Sequence, residues 1–337
     1  MSAPLIEVSG LRVALPSRGS SLELLHGVDL TVEAGETVAI VGESGSGKSL
    51  TVLSLMGLLA APMRVTGGSI HFDGRNLAEL TEPEFQAVRG RDIAMVYQDP
   101  MTSLNPFHRI GAQLVEAMTV HGVPEQAARE SALELLGKVG IPDPGRAARA
   151  FPHEFSGGMR QRVVIAMALA LSPRLLVADE PTTALDVTTQ QQILALVDGL
   201  RRDLGMTTIW VTHDLGVVAR LVDRVIVMYA GRVVEDAPVR QLFADPQHPY
   251  TAGLLACLPR PGDLERGPMA QIPGRPPAPD AIPSGCSFRP RCVESVEACL
   301  TEPALVGRGQ GRVACHVPPV RWRHALTGGR PTDAAGA

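Results

Sequence analysis

Eight consecutive residues, Gly42-Glu43-Ser44-Gly45-Ser46-Gly47-Lys48-Ser49, constrain the fold of this chain more than any other stretch. They satisfy G-x-x-x-x-G-K-[ST] at every fixed position. Glycines at those places let successive backbone N–H groups turn inward around phosphate oxygens without a Cβ clash. Such a loop needs a strand before it and a helix after it, because the helix points its positive N-terminal end at the same anion. Both are present. The run TVAIV at 37–41 reads as a buried strand, and a helix is expected from Lys48 to about residue 59. Lys48 would then reach the β- and γ-phosphates, and the Ser49 hydroxyl would ligate Mg²⁺. Of 31 basic residues only Lys48 and Lys138 are lysines, so a lysine in this chain is not filler. A glycine-rich turn that matches by chance would not be expected to carry both flanking elements.

Further strands are expected at 93–97, 175–178 and 207–211. A helix over 188–204 places Ile193, Leu196, Val197, Leu200 and Leu204 on one face. Strands alternating with helices favour an α/β domain with a mostly parallel sheet. Residues 104–171 contain no strand pattern and read as a helical insertion, with helices at 110–121, 125–139 and 157–171. After about residue 243 the character changes. Eight prolines fall within 259–283, which makes 259–284 an extended linker. A nucleotide-binding domain is therefore expected over 1–258, a cysteine-bearing extension over 285–325, and a disordered tail over 326–337. There is no internal repeat.

At 337 residues and 45% hydrophobic content the chain can bury a large core plus an appendage. A net charge of -4 gives no global basic field for nucleic acid or an anionic membrane surface. The longest apolar run, 163–171, has nine residues, far below the ~20 of a membrane span. The N-terminal MSAPLIEVSG lacks a basic start and an apolar core, so it does not read as a signal peptide. Any membrane role is expected to come through a partner.

Two more elements carry chemistry. In Leu175-Leu176-Val177-Ala178-Asp179-Glu180 an apolar strand ends in two acids. Asp179 would stand near Mg²⁺, and Glu180 could polarise an attacking water. Strand ends with solvated acids are common, and it is the phosphate loop that gives this pair its catalytic reading. Ser156-Gly157-Gly158-Met159-Arg160-Gln161-Arg162 lies between them. A Ser-Gly-Gly turn at a helix start is a second anion site, with Ser156 as the cap.

With these three elements in this order, the sequence resembles the nucleotide-binding subunits of ABC transporters over about residues 5–316. The resemblance implies an α/β P-loop NTPase cassette with a mostly parallel sheet core, an antiparallel β subdomain, a helical insertion and a small C-terminal cysteine-bearing extension. It implies that Gln98 helps coordinate Mg²⁺ and water, with Ser49 and Asp179 as the other Mg²⁺ contacts. The segment 181–186, ending at Asp186, matches the loop that crosses to the partner subunit. His213 matches the switch histidine at the γ-phosphate. The resemblance further implies that Glu180 and His213 are the catalytic pair, that Gly42 to Ser49 bind ATP, and that Ser156, Gly157, Gly158 and Met159 act on ATP held by the partner.

Three features narrow the resemblance to the dipeptide, oligopeptide and nickel importers. They are Tyr97-Gln98-Asp99-Pro100-Met101-Thr102-Ser103-Leu104-Asn105-Pro106, Phe155-Ser156-Gly157-Gly158-Met159, and His248-Pro249-Tyr250-Thr251 followed by the cysteine tail. The expected function is ATP hydrolysis that energises import of di- and oligopeptides. The same machinery importing nickel or another small solute is the alternative, and a soluble ABC ATPase acting on nucleic acid or ribosomes comes after it. The implied partners are a second, related ABC ATPase in a heterodimer, two transmembrane permease subunits and an extracellular or periplasmic substrate-binding protein, with no nucleic acid. The implied location is the cytoplasmic face of the membrane, as a peripheral subunit. One departure from the family is that no Phe, Tyr or Trp precedes Phe72. Leu15 falls where an aromatic residue usually stacks on adenine, so apolar contact is expected in place of stacking and a weaker grip on the base.

All five cysteines lie after residue 256. Cys286, Cys292, Cys299 and Cys315 are spaced C-x5-C-x6-C-x15-C, and four such thiols suit zinc, an iron–sulfur cluster or two disulfides. The resemblance favours a structural [4Fe-4S] cluster, with zinc second. Cys257 stands outside the spacing and is expected in the core. His316, beside Cys315, is expected to be structural.

Overall fold

The computed structural model describes residues 3–17, 20–182, 185–258 and 271–317. The chain begins with β1 (Ile6–Ser17), β2 (Ser20–Val32), β3 (Thr37–Val41), α1 (Lys48–Leu55), β4 (Arg64–Phe72), β5 (Arg75–Asn76), α2 (Glu82–Val88) and β6 (Ile93–Val96). Five helices follow with no strand among them: α3 (Pro100–Ser103), α4 (Ile110–Thr119), α5 (Glu125–Lys138), α6 (Pro144–Ala147) and α7 (Gly157–Ala168). Strand and helix then alternate through β7 (Leu175–Asp179), α8 (Val187–Leu204), β8 (Thr207–Thr212), α9 (Leu215–Leu221), β9 (Arg224–Tyr229) and β10 (Arg232–Pro238). Helices α10 (Val239–Ala244) and α11 (Pro249–Ala256) and a short hairpin, β11 (Val306–Arg308) with β12 (Gly311–Val313), complete the described chain.

An eight-stranded sheet in the order β11-β12-β10-β9-β3-β8-β7-β6 carries the fold. The five strands from β9 to β6 run parallel, and β10 and β12 add on antiparallel. A second sheet, β2-β1-β4-β5, is antiparallel. The sequence of β3 explains its central place. All of TVAIV is buried, as a parallel strand covered on both faces must be. Side chains alternate across it. Val38 and Ile40 join the core shared with β1, β2 and β4, whereas Ala39 and Val41 join the core shared with α4, α5, α7 and α8. Each fully buried aliphatic side chain contributes about 1.5–3 kcal/mol relative to exposure.

The expected elements are present, and the expected helical insertion contains no strand. In α8, Asp186 caps the first turn by accepting the Thr189 N–H at 2.9 Å. Ile193, Leu194 and Val197 are buried, but Leu204 is 46% exposed. The apolar stripe keeps its phase, and Leu204 marks where the helix outruns the elements it packs on. The C-terminal hairpin was not read from sequence. It pairs Glu235 with Val313 and Asp236 with Arg312, so the cysteine-bearing segment continues the main sheet. Residues 259–270 of the expected linker, residues 318–325 of the expected extension and the expected tail 326–337 lie outside the described residues.

Glu235, on β10, is fully buried and accepts the N–H groups of Gln247 at 2.7 Å and His248 at 2.9 Å. These bonds fix the turn into α11. His248 Nδ1 in turn accepts the Tyr250 N–H at 3.0 Å, and burial pushes the His248 ring down to about 3, so it is neutral. Burial pushes the Glu235 carboxyl from 4.5 up to about 7. The folded state therefore holds this proton more tightly than the unfolded chain does. Its contribution to stability is fully present below pH 4.5, falls as pH rises, and is gone above about 7. At ~1.4 kcal/mol per pH unit the loss is about 3 kcal/mol. Denaturant unfolding of Glu235→Gln should show a correspondingly flatter stability profile over that window; a slope equal to wild type would contradict this account.

Candidate functional site

The loop between β3 and α1 closes only because two glycines sit where side chains cannot. Gly42 has φ 153°, and a Cβ there would lie 2.2 Å from the Met228 carbonyl oxygen on β9. Gly47, at the helix start, has φ 100°, and its Cβ would meet Leu25 at 2.6 Å. The loop is thus pressed against β9 on one side and β2 on the other. Lys48 is 6% exposed, and its Nζ donates to the carbonyls of Gly42 at 2.9 Å and Glu43 at 3.1 Å. Burial lowers its pKa, with Glu180, Asp179 and Glu43 acting in the opposite sense.

Strands β7, β8 and β6 deliver the remaining polar groups to the same edge of the sheet. The Ser49 hydroxyl donates to Asp179 Oδ1 at 3.1 Å. Burial raises the Asp179 pKa, the Ser49 hydrogen bond opposes that, and neighbouring Glu180 adds to it. Glu180 follows Asp179 with φ 46°, an uncommon conformation for a non-glycine residue, and its N–H donates to the Val211 carbonyl at 2.9 Å. Its carboxylate accepts from Gln98 Nε2 at 3.2 Å and meets His213 Nδ1 at 3.0 Å. The Glu180 side chain is 16% exposed and His213 57% exposed. Lys48, Ser49, Gln98, Asp179, Glu180 and His213, which span 166 positions of sequence, thus form one connected cluster.

This cluster has the donors and acids needed to hold a triphosphate. Mg²⁺ is usually held by one or two protein oxygens plus phosphate and water oxygens. The adjacent Ser49 hydroxyl and Asp179 carboxylate suit that pattern. Ser156 caps α7 by accepting the Met159 N–H at 3.3 Å. Ser156 and Gly157 are exposed, while Gly158 and Met159 are half-buried against the rest of the helix. In the 181–186 segment, Thr183 and Ala184 lie outside the described residues. Asp186 itself acts in this chain as the cap of α8, and its bonds to Thr189 lower its pKa. Leu15 pairs with Leu22 across the β1–β2 ladder and is half-buried.

Two contacts to the loop were not legible in the sequence. Tyr250 Oη accepts the Glu43 N–H at 2.8 Å, and Arg291 binds the Glu43 carboxylate through two bonds of 2.6 and 3.1 Å. In the sequence the HPYT segment carries a family resemblance, and nothing in it points at the phosphate loop.

The cysteines differ from expectation. Cys299 and Cys315 are buried, Cys286 and Cys292 half-buried, and all four are free. Cys286, Cys299 and Cys315 pack with Val296, Val313 and Val317 as a small apolar cluster. Burial pushes Cys292 and Cys315 up to about 11, and Cys286 upward as well, so these thiols are protonated near neutral pH. Among the described residues no group of three or more His, Cys, Asp or Glu side chains is arranged to hold a metal ion. In this arrangement the four thiols pack as small hydrophobes rather than as a ready-made ligand set. Cys257, expected in the core, is half-buried at the end of α11. His316 Nε2 lies 3.2 Å from the Thr301 carbonyl, a structural contact.

The fold and site define a P-loop nucleotide hydrolase of the cassette type. Comparisons with known proteins agree. The ABC transporter family profile matches residues 25–183, and that of the oligopeptide/dipeptide transporter C-terminal region matches residues 234–299. The oligopeptide transport ATP-binding protein OppD of Salmonella typhimurium is 48% identical over 316 residues, covering 93% of this chain and 94% of the relative. The dipeptide transport ATP-binding protein DppD of Bacillus subtilis is 46% identical over 332 residues, covering 97% and 99%. Among solved structures, a dimeric post-hydrolysis state of the ATP-binding cassette MJ0796 bound to ADP and Pi matches with a TM-score of 0.62 and 29% identity, covering 70% of this chain and 99% of that one. The chain belongs to the ABC transporter family of ATP-binding subunits, in the branch that carries the oligopeptide/dipeptide C-terminal region, and is an ATP hydrolase. Among the described residues no helix is long and apolar enough to cross a membrane.

Proposed function

We propose that this chain binds and hydrolyses ATP to energise import of di- and oligopeptides across the cytoplasmic membrane. The observation that carries the reading is the placement of Glu180. Its carboxylate is held by Gln98 and His213 beside the Lys48 loop, which supports a role for it in activating the water that attacks the γ-phosphate. The near-full-length likeness to peptide-transport ATP-binding proteins supports the cargo class.

In this reading the residues Gly42 to Ser49 wrap the phosphates with backbone N–H groups, and Lys48 releases its two carbonyl partners to meet the β/γ oxygens. Ser49, Asp179 and Gln98 would hold the Mg²⁺ that accompanies ATP, and that ion would neutralise charge on the phosphate oxygens. Glu180 accepts a proton from the attacking water, and His213 holds the carboxylate oriented and contacts the γ-phosphate. Ser156, Gly157, Gly158 and Met159 complete a site on a second cassette, and Asp186 lies in the loop facing that subunit. The Phe155-Ser156-Gly157-Gly158-Met159 version of the signature supports a heterodimer with a related ATPase. The assembly would include two permease subunits and a substrate-binding protein, with this chain peripheral on the cytoplasmic face.

Glu180→Gln keeps the hydrogen-bonding shape but removes the base. Steady-state turnover should fall by roughly 10²–10⁴-fold while ATP binding persists and the dimer is trapped. Turnover within tenfold of wild type would show that Glu180 is not the base.

For the C-terminal thiols, we propose a structural [4Fe-4S] cluster on Cys286, Cys292, Cys299 and Cys315, with zinc as the second metal. Spacing and donor chemistry support it, and binding would require rearrangement and deprotonation of the buried thiols. Anaerobically purified protein should contain iron and sulfide and show a charge-transfer absorbance lost in Cys299→Ser. Stoichiometric zinc without iron would replace the cluster with the second metal, and metal-free protein would remove both.

A further inference from the structure

Glu43 occupies an unrestricted position of the phosphate-loop pattern, yet it is tied firmly to the rest of the molecule. Its N–H donates to Tyr250 Oη, and its carboxylate takes two arms of Arg291. Arg291 is 7% exposed. Its guanidinium lies 5.8 Å from the ring centroids of both Tyr229 and Phe288, and its Nε donates to the Pro273 carbonyl at 2.9 Å. A two-bond Arg–carboxylate pair in such a setting is directional as well as strong. On the loop side, the Glu43 carbonyl accepts Lys48 Nζ at 3.1 Å and the Ser46 N–H at 3.2 Å. One residue therefore links the buried guanidinium to the lysine of the cradle.

The turn that presents Arg291 is set between two of the thiols. Arg289 N–H donates to the Cys286 carbonyl at 3.0 Å, and Cys292 N–H donates to the Arg289 carbonyl at 3.2 Å. A shift of the Cys286–Cys292 segment would carry Arg291 with it. Losing the pair would leave an uncompensated carboxylate next to the phosphates and loosen the loop that holds them.

We propose that Arg291 is a positioning residue of the ATP site, and that through Glu43 it couples the grip on the phosphates to the C-terminal thiol unit. The proposal rests on the ATPase reading and specifies how that site is regulated. It asks for no new chemistry, only that the loop binds ATP more tightly when it is held from behind.

The test measures KM for ATP and kcat on the full-length chain assembled with its partner subunits. Arg291→Ala should raise KM about tenfold and leave kcat within about twofold. Arg291→Lys keeps the charge but not the fork, and should fall between. Tyr250→Phe keeps the packed ring and should raise KM by about threefold, which keeps the test decisive if Arg291→Ala does not fold. Cys292→Ser should raise KM in the wild-type background and should raise it by a smaller factor in the Arg291→Lys background. Folding is checked by the thermal midpoint. Wild-type KM in folded Arg291→Lys and Tyr250→Phe, or a fall in kcat at unchanged KM, would overturn the positioning role. Multiplicative effects of Cys292→Ser and Arg291→Lys would overturn the coupling. The wild-type turnover measured alongside reports on the ATPase reading itself, since the clamp is judged on the ratio of variant to wild-type ATP affinity.

Discussion

A glycine-rich loop can hold phosphate only if something else fixes its backbone, because glycine loses the most conformational freedom on ordering. In this chain one fixing element is the close approach of the Met228 carbonyl to Gly42, which leaves no room for a Cβ. That contact exists because β3 lies between β8 and β9 in the parallel sheet. Strand order, and hence every crossover helix, is in this sense a condition for the loop. The same order brings the end of β7, with Asp179 and Glu180, beside the start of α1, with Lys48 and Ser49.

The polar groups are arranged so that opposing charges restrain one another before ATP arrives. Burial weakens the preference of Lys48 for its proton and of Asp179 for ionisation, and their proximity to each other works against both shifts. Glu180 is anchored at its N–H by β8 and at its carboxylate by Gln98 and His213. A carboxylate held from three directions has little orientation freedom left to lose, which would suit it to the proposed role of base.

Much of this was legible because it is local. The phosphate loop, β3, β7 and the capped helix after Ser156 each carry their signal within about ten residues. The convergence of Gln98, Glu180 and His213 was legible only through family resemblance, since no spacing rule joins them. The hairpin of β11 and β12 had a usable signal, a Gly-Gln-Gly turn between short runs, but the cysteines dominated the reading of that region. The bond between Glu43 and Arg291 spans 248 positions and has no local signature. For the thiols, spacing and packing say different things: the spacing suits a metal, while among the described residues the thiols pack with apolar neighbours.

The central claim is that phosphate chemistry at Glu180 serves peptide import. It is tested most directly by reconstituting the chain with its permeases and partner ATPase in liposomes and measuring ATP turnover as peptide-loaded binding protein is added. The account predicts a several-fold rise with peptide-loaded protein and little response to nickel. Turnover indifferent to peptide, or stimulated by nickel instead, would contradict it.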